Sequence, residues 1–198
     1  PVIGHLDGIC HLYVDETSDP DVASKIVENA KLRRTGICGA AETVLVDEKC
    51  IDSHLGKIIE TLIKGGCEVR GDSICMNYSD KVKEATEIDW ETEYLEAIIS
   101  IKVVRDVDEA IDHIAKYGSG HTESIISENK NNVEKFLNSV GSAIVMHNAS
   151  TQFADGGEFG LGAEIGIATG KLHARGPVGL EGLTTYKYIV RGSGQVRP

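Results

Sequence analysis

The alternation of strands and helices is clearest in residues 97–146, which read AIISIKVVRDVDEAIDHIAKYGSGHTESIISENKNNVEKFLNSVGSAIVM. Short apolar runs, typical of buried strands, alternate there with stretches whose apolar residues recur at helical spacing. Consecutive parallel strands need a helical crossover between them, so this segment predicts a mainly parallel sheet. The predicted elements are strands over 97–104, 123–127 and 143–146, and helices over 107–118 and 133–140.

The preceding part of the chain repeats this pattern. Pro20 follows Ser18 and Asp19, residue types that cap helix N-termini, which predicts a helix from there to about Ala30. The other predicted elements are strands over 8–15, 43–46 and 67–70, a helix over 51–63 ended by Gly65 and Gly66, and an irregular segment over 71–92. The fold class predicted is therefore α/β.

The composition excludes several classes of function. The chain has 198 residues, 41% of them hydrophobic, which suits one domain or one domain with an extension. A net charge of -11 without a basic stripe argues against a nucleic-acid partner. We find no apolar run near the ~18 residues of a membrane span and no signal-peptide pattern, so no membrane partner is predicted.

The cysteines point to a reducing compartment. Five of them, without a Cys-x-x-Cys pair, favour reduced thiols and a cytoplasmic location over a disulfide framework. Only Cys10 and His11 are close Cys/His neighbours in sequence, so no metal site is predicted. The chain starts at Pro1 rather than Met, and a strand follows soon after, so we expect upstream sequence to be missing.

Cys38 lies in a bend of small residues between a predicted helix and a predicted strand. A thiol on such a bend can be accessible, and Arg33 and Arg34 just before it are expected to favour the thiolate. A buried cysteine with a purely packing role is the alternative. Residues 148–176 form a long glycine-rich stretch, interpreted as an ordered loop over a site, and 184–190 are predicted as a terminal strand.

Four segments carry a resemblance to a known family. They are 29–43, which includes Cys38, together with 110–125 (AIDHIAKYGSGHTESI), 148–166 (NASTQFADGGEFGLGAEIG) and 171–180 (KLHARGPVGL). These segments closely resemble the γ-glutamyl phosphate reductase family, a branch of the aldehyde dehydrogenase superfamily. By contrast, the glycines at 160, 162 and 166 have the wrong spacing for a dinucleotide-binding fingerprint.

The resemblance implies a three-layer, mainly parallel catalytic domain over 1–182 and a C-terminal oligomerisation strand over 183–198, with the NADPH-binding domain missing. It implies that Cys38 is the nucleophile in the NADPH-dependent reduction of L-glutamyl 5-phosphate to L-glutamate 5-semialdehyde, in proline biosynthesis. Phosphate leaves, and a thioester on Cys38 accepts hydride. The Cys38 backbone N–H is expected to help hold the oxyanion.

Further site residues are implied by the same resemblance. The glutamate that activates water in other aldehyde dehydrogenases has no counterpart in residues 4–8, as expected when phosphate is the leaving group. Glu93 is similar to the superfamily glutamate that holds the nicotinamide ribose. Candidates for binding the substrate carboxylate, ammonium and phosphate are Arg34, His121, Thr122, Asn148, Ser150, Thr151 and Arg175.

Two alternatives remain open. One is another acylating aldehyde dehydrogenase with a different acyl donor, and the other is a non-catalytic assembly or binding domain. The partners expected under the first interpretation are L-glutamyl 5-phosphate, a second copy of the chain, and glutamate 5-kinase as a channelling partner.

Overall fold

The strands of the main sheet alternate with helices along the chain. In the computed structural model, which describes residues 3–198, the helices are α1 (Pro20–Leu32), α2 (Gly56–Lys64), α3 (Val107–Tyr117), α4 (Lys130–Ser139) and the four-residue α5 (Leu180–Leu183). The strands are β1 (Cys10–Val14), β2 (Ala41–Asp47), β3 (Glu68–Gly71), β4 (Lys83–Glu84), β5 (Ile98–Val104), β6 (Thr122–Ile126), β7 (Ile144–His147), β8 (Gly166–Ala168) and β9 (Gly176–Val178).

Seven strands form one sheet in the order β4-β3-β5-β2-β1-β6-β7, and every neighbouring pair is parallel. The strands β8 and β9 pair separately as a short antiparallel ribbon. The predicted α/β class with a mainly parallel sheet is therefore confirmed.

Helix boundaries follow the polar residues that the sequence places at them. The Asp19 carboxylate accepts hydrogen bonds from the backbone N–H groups of Asp21 and Val22, and so caps α1. The side chains of Asp106 and Asn129 cap α3 and α4 in the same way. These caps satisfy backbone donors that a helix leaves free at its first turn.

The sheet is the middle layer of three. Leu12 and Val14 pack with α1 and α2 in one hydrophobic core, whereas Tyr13 between them packs with α3 and α4 in a second core. Alternate residues of a strand face opposite sides, so β1 needs apolar side chains on both. This arrangement is the three-layer architecture expected from the sequence.

Two sequence predictions differ from the structure. The short strand β4 lies inside the segment predicted as irregular, because two residues are too few to show any periodicity. Residues 184–190, predicted as a terminal strand, form no strand within this single chain. Tyr188 and Val190 are 85% and 89% exposed, and no strand among residues 3–198 completes the backbone hydrogen bonds of this segment.

None of the helices within residues 3–198 combines the length and apolar character needed to cross a bilayer.

Candidate functional site

Cys38 lies on the connection between α1 and β2, at the amino end of β2. A backbone hydrogen bond of 2.9 Å from Ala40 to the Ile37 carbonyl closes the turn that holds it. The thiol is partly exposed and lines a cavity of about 430 Å³ together with Arg33 and Arg34. The sequence prediction that this bend presents a thiol to solvent is confirmed for the half-buried Cys38.

The opposite wall of this cavity comes from the glycine-rich stretch. Asp155, Glu158, Glu164 and Ile167 line it from that side. The stretch begins with a short helical turn, Thr151–Phe153, and continues into β8. The expectation of an ordered loop packed over a site therefore agrees with the structure, although the β8–β9 ribbon was not predicted.

Gln152 clamps the Cys38 loop to the end of α1. Its amide nitrogen donates to the carbonyls of Ala30 at 2.8 Å and Arg34 at 3.3 Å, while its oxygen accepts from Arg33 at 3.3 Å. The sequence analysis did not single out Gln152, because an amide in a loop has no distinguishing pattern. Its partners lie about 120 positions away, so only the fold brings them together.

Gly8 lets the backbone of Cys38 approach the sheet closely. A β-carbon at Gly8 would lie 2.3 Å from the Cys38 carbonyl oxygen and 2.8 Å from Oε1 of Glu93. No residue larger than glycine fits between these groups without movement. The Glu93 carboxylate, predicted to hold the nicotinamide ribose, thus lies beside the Cys38 backbone.

Burial raises the pKa of the Cys38 thiol, and the carboxylates of Glu164 and Glu93 raise it further. The backbone N–H groups of Cys38 and Gly39 lower this pKa, but by less. The expectation that the arginines before Cys38 favour its thiolate is therefore wrong for this chain. The carboxylates are among the main groups that shift this pKa, whereas the exposed guanidiniums of Arg33 and Arg34 are not.

His121 lies beside Cys38, where the chain enters β6. Its Nδ1 is 2.9 Å from the Thr122 hydroxyl and 3.6 Å from the Cys10 sulfur. Burial, and to a lesser degree the nearby His5, lower the pKa of His121 to about 4, so the ring is neutral at pH 7. His121 is therefore next to the thiol, as expected for a site residue.

His5, Cys38 and His121 form a group whose potential ligand atoms all lie within 4.8 Å of one another. No sequence motif links these three residues, because they are separated by tens of positions. Cysteine and histidine are metal ligands, so the spacing argument against a metal site does not extend to this group.

Three other predicted site residues lie behind the cavity. Thr122 is fully buried, and its hydroxyl interacts with the His121 ring. Ser150 caps the short turn through Thr151–Phe153, and the Thr151 carbonyl packs against Gly39. All three are buried, so they shape the wall behind the Cys38 loop.

Asn148 and Arg175 are not in the Cys38 cavity. The Asn148 side chain accepts from the Ser127 backbone and donates to Glu128, each at 3.0 Å, which ties β7 to the loop after β6. Arg175 is exposed and donates to the Gly141 carbonyl. It lines a separate open groove near α5, so the structure does not place it with the thiol.

Curated proteins match the chain along its whole length. It is 64% identical over 198 residues to a protein of Parvibaculum lavamentivorans described as γ-glutamyl phosphate reductase, and 61% identical to one of Rhodopseudomonas palustris. The chain is similar over its whole length to proteins described as γ-glutamyl phosphate reductases. The resemblance seen in the motifs is thereby confirmed. The match covers 47% and 46% of those two proteins, so the chain spans about half the length of the relatives.

Solved structures agree with this relationship. The crystal structure of γ-glutamyl phosphate reductase from Thermotoga maritima matches the whole chain at 52% identity with a TM-score of 0.94, over 48% of its own length. An acetylating aldehyde dehydrogenase from Geobacillus thermoglucosidasius, at 18% identity and a TM-score of 0.72, shows the same fold. No protein-family model matches the chain.

Proposed function

We propose that this chain is the thiol-bearing part of an enzyme that reduces L-glutamyl 5-phosphate to L-glutamate 5-semialdehyde with release of phosphate, in cytoplasmic proline biosynthesis. The observation that carries this proposal is the accessible Cys38, at the edge of an arginine-containing cavity, in a chain 64% identical to a γ-glutamyl phosphate reductase. The relatives are about twice as long as the chain, and the proposal concerns the part of them that it matches.

The proposed reaction begins with attack of the Cys38 sulfur on the acyl carbon of the substrate. The bond from that carbon to the phosphate oxygen breaks, and a thioester forms with loss of the thiol proton. Hydride addition at the thioester carbon, followed by cleavage of the C–S bond, yields the aldehyde and restores the thiol. The Cys38 N–H is the proposed donor to the oxyanion, and it already lies close enough to the sulfur to lower the thiol pKa.

The cavity is lined by both cationic and anionic side chains, which suits a substrate that itself carries positive and negative groups. Arg34 and its neighbour Arg33 offer guanidiniums to the phosphate or the carboxylate, which they can bind through two hydrogen bonds. Asp155 and Glu158 on the facing wall offer carboxylates to the ammonium group. We therefore retain Arg34 and His121 as substrate contacts, and assign Thr122, Ser150 and Thr151 to support of the wall.

The region around Glu93 fits a nicotinamide cofactor, proposed to be NADPH. When bound, NADPH supplies the hydride. The Glu93 carboxylate lies against Gly8 and the Cys38 backbone, so a ribose held there would be next to the thiol. Glu93 is only partly buried, which leaves its carboxylate free to accept hydrogen bonds from ribose hydroxyls.

The exposed segment over 183–198 is the proposed contact with a second copy of the chain. Its apolar residues include Tyr186, Tyr188, Ile189 and Val190, each at least 67% exposed. An extended segment of this kind can complete its backbone hydrogen bonds by adding to another sheet. Glutamate 5-kinase, which makes an acyl phosphate, remains the proposed channelling partner.

The test is a chimaera in which this sequence replaces the region that it matches in the P. lavamentivorans relative. We expect phosphate-dependent reduction of NADP⁺ by L-glutamate 5-semialdehyde, and a loss of at least ~10³-fold in Cys38→Ser. Cys67→Ser is the matched control, because Cys67 is buried away from the cavity. Activity that needs no phosphate would indicate a different aldehyde dehydrogenase, and full activity in Cys38→Ser would refute the assignment of the nucleophile.

A further inference from the structure

Three metal-ligating side chains meet at the amino edge of the sheet. His5 precedes β1, Cys38 precedes β2 and His121 precedes β6, and these three strands are neighbours in the sheet. Because the strands are parallel, the segments entering them converge at one edge. The ligand atoms of the three residues lie within 4.8 Å of one another.

The His5 ring is held in a tautomer that can bind a metal. Its Nδ1 lies 2.7 Å from the Ile167 carbonyl oxygen. A carbonyl only accepts hydrogen bonds, so Nδ1 must carry the hydrogen of this contact, and in the neutral ring Nε2 keeps its lone pair. Metal-ligating histidines are typically oriented by such a bond from the other ring nitrogen.

His121 offers a nitrogen that nothing in the described part of the chain satisfies. The side chain is fully buried, its Nδ1 is engaged by Thr122 and Cys10, and its Nε2 has no hydrogen-bond partner within residues 3–198. A buried polar atom without a partner is costly. The His121 ring lies edge-on to His5 with ring centres 4.8 Å apart, so a ligand shared by both rings would satisfy this atom.

We propose that His5, Cys38 and His121 bind one Zn²⁺ ion, with a fourth position open to solvent. Two imidazoles and a thiolate are the donors that zinc prefers, and three protein ligands with an open position are an established zinc arrangement. Tetrahedral geometry with Zn–S of about 2.3 Å and Zn–N of about 2.1 Å places the donors roughly 3.5 Å apart. Rotation of the Cys38 side chain, which is only partly buried, with a small shift of the His5 ring that keeps its bond to Ile167, closes the remaining distance.

Zinc at this site occupies the sulfur of Cys38. Because a metal-bound thiolate no longer attacks an electrophile freely, the ion and an alkylating reagent compete for one sulfur. Bound zinc thus blocks the nucleophilic reactivity of Cys38, the most accessible thiol of the chain. The inference depends on the position of three side chains and not on the proposed reductase function, so either can fail without the other.

The experiment uses the chain as it is, kept reduced with a phosphine and freed of metal by a chelator. Titration with Zn²⁺ should give one ion per chain, and titration with Co²⁺ should give the near-ultraviolet absorption of a thiolate–cobalt bond. Cys38→Ser and His5→Gln should each weaken Zn²⁺ binding by at least ~100-fold, since loss of an outer partner alone costs roughly 10–100-fold. His173→Gln and Cys67→Ser are matched controls that should change nothing.

A measurement on the unaltered chain removes any dependence on how the variants fold. Iodoacetamide labelling, mapped by mass spectrometry, should show Cys38 protected by one equivalent of Zn²⁺ and released by a chelator. The proposal is overturned by the absence of one-to-one binding, by cobalt absorption that persists in Cys38→Ser, or by Cys38 labelling that is unaffected by zinc.

Discussion

The edge of the sheet formed by the carboxyl ends of its strands and the edge formed by their amino ends differ in whether their buried polar groups have hydrogen-bond partners. At the carboxyl edge, the buried Asp15 carboxylate accepts from the Thr17 hydroxyl at 2.5 Å, Ser127 at 2.9 Å and Asn132 at 2.6 Å. The Tyr13 hydroxyl likewise donates to Asp47 at 2.7 Å. Ligands of open α/β sheets usually bind at this edge, but here it is closed by its own hydrogen bonds.

The amino edge, by contrast, leaves polar atoms free. His121 Nε2 and the Thr151 hydroxyl are buried without a partner among residues 3–198, and the Cys38 thiol is partly open to the cavity. A saturated network rigidifies a sheet, whereas a reactive or ligand-binding group must keep some of its bonding capacity. The difference shows which edge is structural and which is available for chemistry.

Asp15→Ala should have the largest effect on stability, because it breaks the network of the carboxyl edge. Burial alone would raise the Asp15 pKa, but the hydrogen bonds from Thr17, Asn132 and Ser127 outweigh it and lower that pKa below its usual value. We expect a loss of about 3 kcal/mol in the free energy of unfolding, measured with urea at pH 7.

The pH dependence of this loss has a definite sign. Because the pKa of Asp15 is lower in the folded chain than in the unfolded chain, its ionised carboxylate stabilises the fold at pH values above the usual carboxyl pKa. This stabilisation disappears as the pH falls through the pKa of the folded chain. The difference in the free energy of unfolding between the native chain and Asp15→Ala should therefore become smaller in acid. Asp21→Ala removes an exposed carboxylate paired with Lys57 and should change stability little. A difference that is constant from pH 7 to 3 would contradict this account.

Gly8→Ala should perturb the amino edge selectively. Its β-carbon meets the Cys38 carbonyl at 2.3 Å, and an overpacked site of this kind costs about 2 kcal/mol. We also expect the rate of Cys38 alkylation to change several-fold, since the thiol loop must move.

Gly4→Ala is the matched control for this substitution, because nothing lies within 4 Å of a β-carbon there. Equal stability and equal alkylation rates for the two variants would show that Gly8 does not position the Cys38 loop.

His113→Leu should give the smallest effect, and it should be stabilising. Burial, assisted by His11, Lys102 and Lys116, lowers the pKa of His113 to about 3. Neither ring nitrogen has a partner within residues 3–198. Leucine removes these unsatisfied atoms, so we expect a gain of about 1 kcal/mol at pH 7 by urea unfolding.

The gain from His113→Leu should grow in acid. The unfolded chain protonates His113 near its usual pKa of about 6.5, and the folded chain does so only near pH 3, so native stability falls with pH between these values. A gain at pH 5 no larger than at pH 7 would mean that the ring is charged or hydrated in the folded state.

Most of the fold could be predicted from the sequence because strands and helices here carry regular apolar patterns. The capping residues Asp19 and Gly65 even set helix ends within a residue or two. The terminal segment shows the limit of this reasoning. Alternating apolar residues indicate a strand, but a strand also needs a partner, and the sequence does not say whether one is within reach.

The site was predictable only where a residue type is distinctive by itself. A cysteine on a glycine-flanked bend draws attention to Cys38, and the resemblance to relatives adds Glu93 and His121. Gln152, Gly8 and His5 act through partners far along the chain, which no local pattern reveals. The direction of the Cys38 pKa was missed for the same reason, because Glu164 lies 126 positions away in sequence but across one cavity.

The clamp formed by Gln152 has a consequence for how the chain folds during synthesis. Gln152 follows β7, the strand added at one side of the sheet, and the backbone that it holds lies some 120 residues earlier. Contacts of such long range form late in folding, because the intervening chain must first be ordered. During synthesis, the loop that bears Cys38 is therefore untethered while the first helices and strands are already in place. The Gln152 bonds that fix this loop can form only after the last strand of the sheet has been made, so the final position of Cys38 depends on completion of the sheet.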